Sequence, residues 1–171
     1  MANNITKGIV HKFEDDINTD YIISSRHKRD TTDCDILKKY IFADIRDNLI
    51  EKISEGDIIA AGHNFGCGSA MEVASQVVKA AEFKVIIAKS FARSYYRNAM
   101  NNGLLLIIAD TDFLNDGAAI SIDFDESGDI ILSAENGGDK INLGKVSSVM
   151  HKLYEAGGLI EYVNKYDRLP V

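Results

Sequence analysis

The chain has 171 residues, 46% of them hydrophobic, with one proline and a formal net charge of −7, the profile of a globular protein with apolar side chains enough for one core and, most simply, one domain over residues 1–171. The acidic balance weighs against nucleic acid or an anionic membrane as a main partner, since the only basic cluster is Arg26-His27-Lys28-Arg29. No apolar run reaches the ~18 residues of a spanning helix and Met1 to Lys7 carry no signal-like apolar core, so the expected compartment is the cytoplasm.

In chain order, Lys7–Phe13 alternates as a first strand, with Ile9, His11 and Phe13 on one face. Asp15 to Asp20 form an acidic loop. It resembles the start of a calcium loop, but Tyr21 stands at the obligatory glycine position and His27 at the bidentate glutamate position. Thr32 or Asp33 caps a short helix through Tyr40, and Asp57–Ala61 is a buried strand. That strand runs into Gly62-His63-Asn64-Phe65-Gly66-Cys67-Gly68-Ser69-Ala70-Met71-Glu72-Val73-Ala74. Because Met71, Ala74, Val77, Val78 and Ala81 recur at helical spacing, a helix is expected from near Ala70 to Glu82. Its dipole and the loop N–H groups then converge on Ser69, where an anion would be stabilised.

Further on, Lys84–Ala88 is a strand, Phe91–Asn102 a helix closed by Gly103, and Leu104–Ile108 a strand; strands separated by helices imply parallel pairing. Ala119–Phe124 and Asp129–Ser133 flank Asp125-Glu126-Ser127-Gly128 as a β-hairpin. Val146–Ala156 is expected to be the last helix, stopped by Gly157-Gly158. The sum is a mixed α/β layer fold rather than a doubly wound one.

The glycine loop fits no common phosphate or nucleophile motif. A P-loop from Gly62 needs glycine and lysine where Cys67 and Gly68 stand; a dinucleotide fingerprint from Gly66 needs a third glycine at Met71; and a nucleophile elbow needs a glycine beyond Ser69. A plain turn packing a helix against a sheet is the competing reading. Two cysteines, Cys34 and Cys67, sit in dissimilar contexts and read as reduced thiols, fewer than the four thiolates an iron–sulfur cluster takes, and four scattered histidines show no ligand spacing.

Taken in order, Asp16-Ile17-Asn18-Thr19-Asp20-Tyr21-Ile22-Ile23, Gly56-Asp57-Ile58-Ile59, Asn64-Phe65-Gly66-Cys67-Gly68-Ser69, Ile87-Ala88-Lys89-Ser90-Phe91-Ala92-Arg93 and Gly157-Gly158-Leu159-Ile160 resemble the small subunits of 3-isopropylmalate dehydratase, the detached swivelling domain of the aconitase superfamily, over roughly residues 5 to 165. The resemblance implies a swivelling β/β/α domain with mixed sheets flanked by helices. It implies a large dehydratase subunit as partner, bearing the 4Fe-4S cluster that this chain lacks the cysteines to bind. The implied reaction is reversible dehydration of a malate-type hydroxy-acid, in which one group removes a proton from carbon while a Lewis acid draws off hydroxide.

By the same resemblance the base is the first serine of the glycine loop, Ser69. Asp20 orders the site, and Arg29, with Arg26 as competitor, lies on the loop that meets a substrate carboxylate. Cys67 paired with His63 as a nucleophile is set aside for a loop-packing role. One departure stands out. The family loop continues Ser-Ser-Arg-Glu-His-Ala, whereas here Ser69 is followed by Ala70, Met71, Glu72, Val73 and Ala74. Ala70 and Met71 therefore face substrate in place of a serine and an arginine that holds a carboxylate. Three readings follow: an altered substrate (a dimethylmalate, methylmalate or homoaconitate type), an isopropylmalate enzyme using another basic residue, or a subunit without catalysis. A stand-alone anion-binding module is the alternative from outside the enzyme class.

Overall fold

The computed structural model describes residues 3–135 and 138–171. Its seven strands are β1 (Asn3–Lys12), β2 (Ile58–Ala61), β3 (Val85–Ala88), β4 (Leu105–Ile108), β5 (Ala119–Phe124), β6 (Ile130–Ala134) and β7 (Ile141–Asn142). They lie in the order β4-β3-β2-β1-β5-β6-β7. β1 belongs to two half-sheets at once. Its end, Val10–Lys12, pairs in parallel with Ile58–Ala60 of β2, while Asn3–Ile9 pairs antiparallel with β5. The β2, β3 and β4 ladders are parallel, and β5, β6 and β7 antiparallel.

Sequence explains the division. Ile58-Ile59-Ala60-Ala61 and Val85-Ile86-Ile87-Ala88 are buried at every position, as strands of a parallel sheet covered on both faces must be. In β5 only Ile120 and Ile122 are buried, the alternation of a sheet with one wet face. A polar clasp joins β1 to the turn before β2. The buried Asp57 carboxylate accepts from the Ile9 N–H at 2.8 Å and the Ser54 N–H at 3.0 Å, and lies 2.7 Å from His11 Nε2. Thr6 Oγ1 donates to the Gly56 carbonyl at 2.7 Å.

Among the described residues six α-helices accompany the sheet: α1 (Thr19–Ile22), α2 (Cys34–Leu37), α3 (Glu72–Ala80), α4 (Arg93–Asn101), α5 (Ser148–Ala156) and α6 (Leu159–Tyr166). α3 buries Ala74, Ser75, Val77 and Val78, and α4 buries Tyr95 and Ala99. The architecture is the expected mixed α/β one, with parallel pairing of β2, β3 and β4. None of the described helices is long and apolar enough to cross a membrane.

Several boundaries differ from expectation for identifiable reasons. The helix ending at Tyr40 is one α-turn, capped by Asp33 accepting from the Asp35 N–H, followed by a 3₁₀ turn over Lys38–Tyr40. α3 starts at Glu72 because Met71 is still extended, at φ −92° and ψ 120°. α4 begins after Phe91 because that residue bridges to Phe65 in β fashion. Val146–Ala156 is not the last helix. Gly157, at φ +88°, ends α5 and Gly158, at φ +139°, opens α6, so the glycine pair reverses the chain into another helix.

Candidate functional site

The three parallel strands β1, β2 and β3 all release their chains at one end of the sheet, the carboxyl end where open α/β sheets bind ligands. The segment after β1, the glycine loop after β2 and the segment after β3 meet there through backbone bonds. Gly66 N–H donates to the Ile17 carbonyl and Thr19 N–H to the Cys67 carbonyl, both at 2.8 Å, and Asn18 and Cys67 form a parallel bridge. On the other side Phe65 N–H donates to the Ser90 carbonyl at 3.0 Å and Ala92 N–H to the Phe65 carbonyl at 2.9 Å. Asn64 adds its N–H to Ser90 Oγ at 2.8 Å and its side-chain amide to Asp16 at 2.7 Å. The loop is thus held by its backbone on both sides.

Two glycines make this possible. Gly66 has φ +80°, and a Cβ there would lie 2.1 Å from Cγ of the buried Tyr95 ring; Gly68 has φ +94°, and a Cβ would lie 2.6 Å from Asn18 Oδ1. Side chains at either place would push the neighbouring segments apart.

Ser69 emerges from this loop exposed, as does Ala70. Its carbonyl accepts from the Met71 N–H at 2.7 Å and from Thr19 Oγ1 at 3.2 Å. Its hydroxyl makes no hydrogen bond among the described residues, and the N-cap of α3 is Met71, not Ser69. The backbone of Ser69 is fixed and its hydroxyl is free.

Asp20 lies in α1, whose N-cap Asn18 accepts from the Asp20 N–H at 2.8 Å. The Asp20 carboxylate accepts from the Ser25 N–H at 3.2 Å and stands 3.5 Å from Lys28 Nζ. Lys28 reaches across to the glycine loop, with its ammonium 3.2 Å from Met71 Sδ. Asp20, Lys28 and Met71 therefore form one chain of contacts beside Ser69. Arg26 is turned elsewhere, pairing with Asp44, and its neighbour His27 stacks on Tyr40 at 4.0 Å between ring centres. Arg29 is exposed at the end of the 3₁₀ turn Ser25–Lys28 and makes no ion pair among the described residues. Lys28, Asn18 and Ser90 are the site residues that sequence reasoning missed; for Lys28 the only signal was its membership of the basic cluster.

Neither cysteine is set up as a thiolate. Burial pushes the Cys67 thiol up, reinforced by the Asp16 carboxylate, and burial followed by Asp33 and Asp35 does the same to Cys34. Among the described residues no group of three or more His, Cys, Asp or Glu side chains converges as a metal set. A cavity of about 520 Å³ bordered by Glu55, Lys79, Lys84 and Gly103 opens at the amino ends of β2, β3 and β4, away from Ser69.

Residues 8–111, more than half of the chain, match the family described as the aconitase C-terminal domain. The chain belongs to this family. A relative described as the methanogen homoaconitase small subunit of Methanocaldococcus jannaschii is 44% identical over 161 residues, covering 94% of this chain and 92% of that protein. The 3-isopropylmalate dehydratase small subunit 2 of Archaeoglobus fulgidus is 37% identical over 164 residues, with 96% and 98% covered. Among solved structures, a crystal structure titled 3-isopropylmalate dehydratase, from Methanocaldococcus jannaschii, matches with a TM-score of 0.81 and 39% identity over 95% of each chain. The aconitase-family fold expected from the ordered motifs is the fold observed, and the chain is a small subunit of the 3-isopropylmalate dehydratase and homoaconitase type of hydro-lyase.

Proposed function

We propose that this small subunit provides the proton-transfer half of a dehydratase site completed by a large subunit, acting in the cytoplasm as one swivelling unit on a malate-type hydroxy-acid of the 3-isopropylmalate kind. The observation that carries the proposal is Ser69 itself: an exposed hydroxyl on a backbone pinned from both sides, with no structural bond to give up. As the base, Ser69 Oγ in its alkoxide form takes the proton from the substrate carbon and becomes a neutral hydroxyl, the electron pair forms the carbon–carbon double bond, and hydroxide leaves from the adjacent carbon. Rehydration with opposite regiochemistry returns the proton from Ser69. A serine is a weak base unless fixed donors support its anion, and loop N–H groups with the α3 terminus two residues on supply that support. Asp20 orders the neighbouring turn through Ser25 and Lys28, and Arg29, exposed and unpaired among the described residues, meets a carboxylate.

A 4Fe-4S cluster does not fit this chain, whose two cysteines have thiols pushed toward the neutral form and, among the described residues, belong to no ligand group; the large subunit would hold it, and it would supply Lewis acidity for a departing hydroxyl. Ser69 and Ala70 lie on an open ledge, a surface that needs a second wall to exclude water. A second reading, a homoaconitate-type substrate, is favoured by the 44% relative named a homoaconitase small subunit. Anaerobic reconstitution with the large subunit and assay against isopropylmalate, methylmalate, dimethylmalate and homoaconitate-type acids tests the proposal. Dehydration by the complex and none by the isolated chain is the expected result. Turnover by the isolated, iron-free chain, or inertness of the assembled complex toward every one of these acids, refutes it.

A further inference from the structure

Lys28 occupies an unusual place for a lysine. Its side chain is only 13% exposed, although it sits in a basic, solvent-facing cluster. An ammonium carries three donors and no acceptor, and burying one is costly unless those donors find partners. Here the contacts are one carboxylate oxygen of Asp20, at the long distance of 3.5 Å, and the thioether of Met71 at 3.2 Å. Sulfur in a thioether is a weak acceptor. The ammonium is therefore held in place by two weak contacts, with donor capacity left for an incoming carboxylate. The place is also informative. Met71 lies two residues beyond Ser69, so the ammonium rests on the same loop that presents the Ser69 hydroxyl.

From this geometry we infer that Lys28 is a substrate-binding residue, its ammonium holding a carboxylate of the hydroxy-acid above Met71, with Asp20 as the positioning residue that fixes the lysine. The inference rests on the dehydratase reading of the Ser69 site and deepens it. It assigns the cation at position 71 to a different segment: the loop residue is an apolar thioether, and the charge arrives from the 3₁₀ turn Ser25–Lys28 instead. Arg26 is committed to Asp44, while Arg29 is free for the second carboxylate of a malate-type acid. A lysine gives a point charge rather than a planar fork, so the carboxylate is held by charge and reach with little demand on its orientation. The methionine beneath it is an adaptable apolar surface suited to an alkyl substituent on the neighbouring carbon.

The test compares wild type, Lys28→Met and Lys28→Arg in the complex with the large subunit, using the acid that the wild-type complex turns over best. Methionine keeps the length and apolar stem while removing the charge. Lys28→Met is expected to raise KM about ten- to a hundredfold, the range for losing one charged hydrogen bond, with kcat changed by no more than about threefold. Lys28→Arg should bring KM back to within about fivefold of wild type, and both isolated variants should melt with the wild-type chain. An unchanged KM in Lys28→Met overturns the inference, as does a loss that falls on kcat and melting temperature together, which is the signature of a structural ion pair with Asp20. A wild-type complex inert toward the whole acid panel would instead refute the dehydratase reading, so the two failures are distinguishable.

Discussion

Replacing Ser69 by alanine separates two roles that a serine at a loop-to-helix junction can play. A capping serine accepts a hydrogen bond from the first turn, and its loss costs about 1 kcal/mol. In a chain of this length that is a fall in melting temperature of about 2–4 °C. The structure removes that role: the N-cap of α3 is Met71, and the Ser69 hydroxyl bonds to nothing among the described residues. Ser69→Ala should therefore leave the melting temperature of the isolated chain within about 1–2 °C of wild type, since the change in free energy on losing a free surface hydroxyl lies within about ±0.5 kcal/mol. In the complex with the large subunit the same change should lower kcat by about 10²-fold or more, because general base catalysis contributes about 10²–10⁴. Ser75, inside α3, is the control. It is fully buried, donates to the Glu72 carbonyl at 2.8 Å and accepts from the Asn102 amide at 3.1 Å. Ser75→Ala should cost about 1–2 kcal/mol of stability and leave kcat unchanged. Calorimetry of the three chains and initial rates of the three complexes give the matrix. A Ser69→Ala chain that melts several degrees lower while its complex keeps near-normal turnover would return the residue to a structural role and refute the reasoning.

Gly66→Ala should destabilise the chain by about 2–5 kcal/mol, combining about 1–2 kcal/mol for a left-handed alanine with about 1–3 kcal/mol for overpacking, because its Cβ would sit 2.1 Å from Cγ of Tyr95, itself 1% exposed and packed edge-on against Phe65. Gly117→Ala, at a similar φ of +79° but with nothing within 4 Å, should cost only the first part; equal urea midpoints for the two variants would show that the Tyr95 ring gives way. Met71→Arg adds a bidentate donor at the ledge, so kcat/KM for a tricarboxylic, homoaconitate-type acid relative to isopropylmalate should rise about ten- to a hundredfold. An unchanged ratio would mean that position 71 does not face substrate.

The central sheet was legible because burial on both faces leaves a mark that survives translation into sequence. Ile58–Ala61 and Val85–Ala88 are uninterrupted apolar runs of strand length, as strands covered on both faces make. The helix after Gly158 was not legible for a different reason. Leu159, Tyr162, Val163 and Tyr166 do recur at helical spacing, but the segment is only eight residues long, buries Tyr162 alone and leaves Ile160 72% exposed. The two glycines before it read equally well as a terminus or as a reversal, and the φ values of +88° and +139° that decide for reversal are a property of the folded backbone. β7 spans two residues and exists because β6 offers a free edge.

The candidate site shows the same asymmetry at the level of single side chains. Ser69 could be found from the loop alone, since glycine spacing, a following amphipathic helix and one serine at the junction are all local features. That Asp20 stands near it followed from the resemblance, because the two are joined by bonds between segments, Thr19 to the Cys67 carbonyl and Thr19 Oγ1 to the Ser69 carbonyl, and long-range register leaves no trace in local pattern. Lys28 was hidden among equivalents. In sequence, Arg26, His27, Lys28 and Arg29 are four adjacent cationic or titratable residues, and arginine is the natural choice for a carboxylate. A 3₁₀ turn has about three residues per turn, so adjacent side chains fan out at about 120° to one another. That fan sends Arg26 to Asp44, His27 onto the Tyr40 ring and Lys28 inward to Asp20 and Met71. Choosing between the four requires the turn's rotation about its axis, which is set by the Asp20 carboxylate accepting the Ser25 N–H at 3.2 Å. By holding the first residue of that turn, Asp20 is tied to the placement of Lys28 against the glycine loop, the arrangement on which the proposed carboxylate site rests.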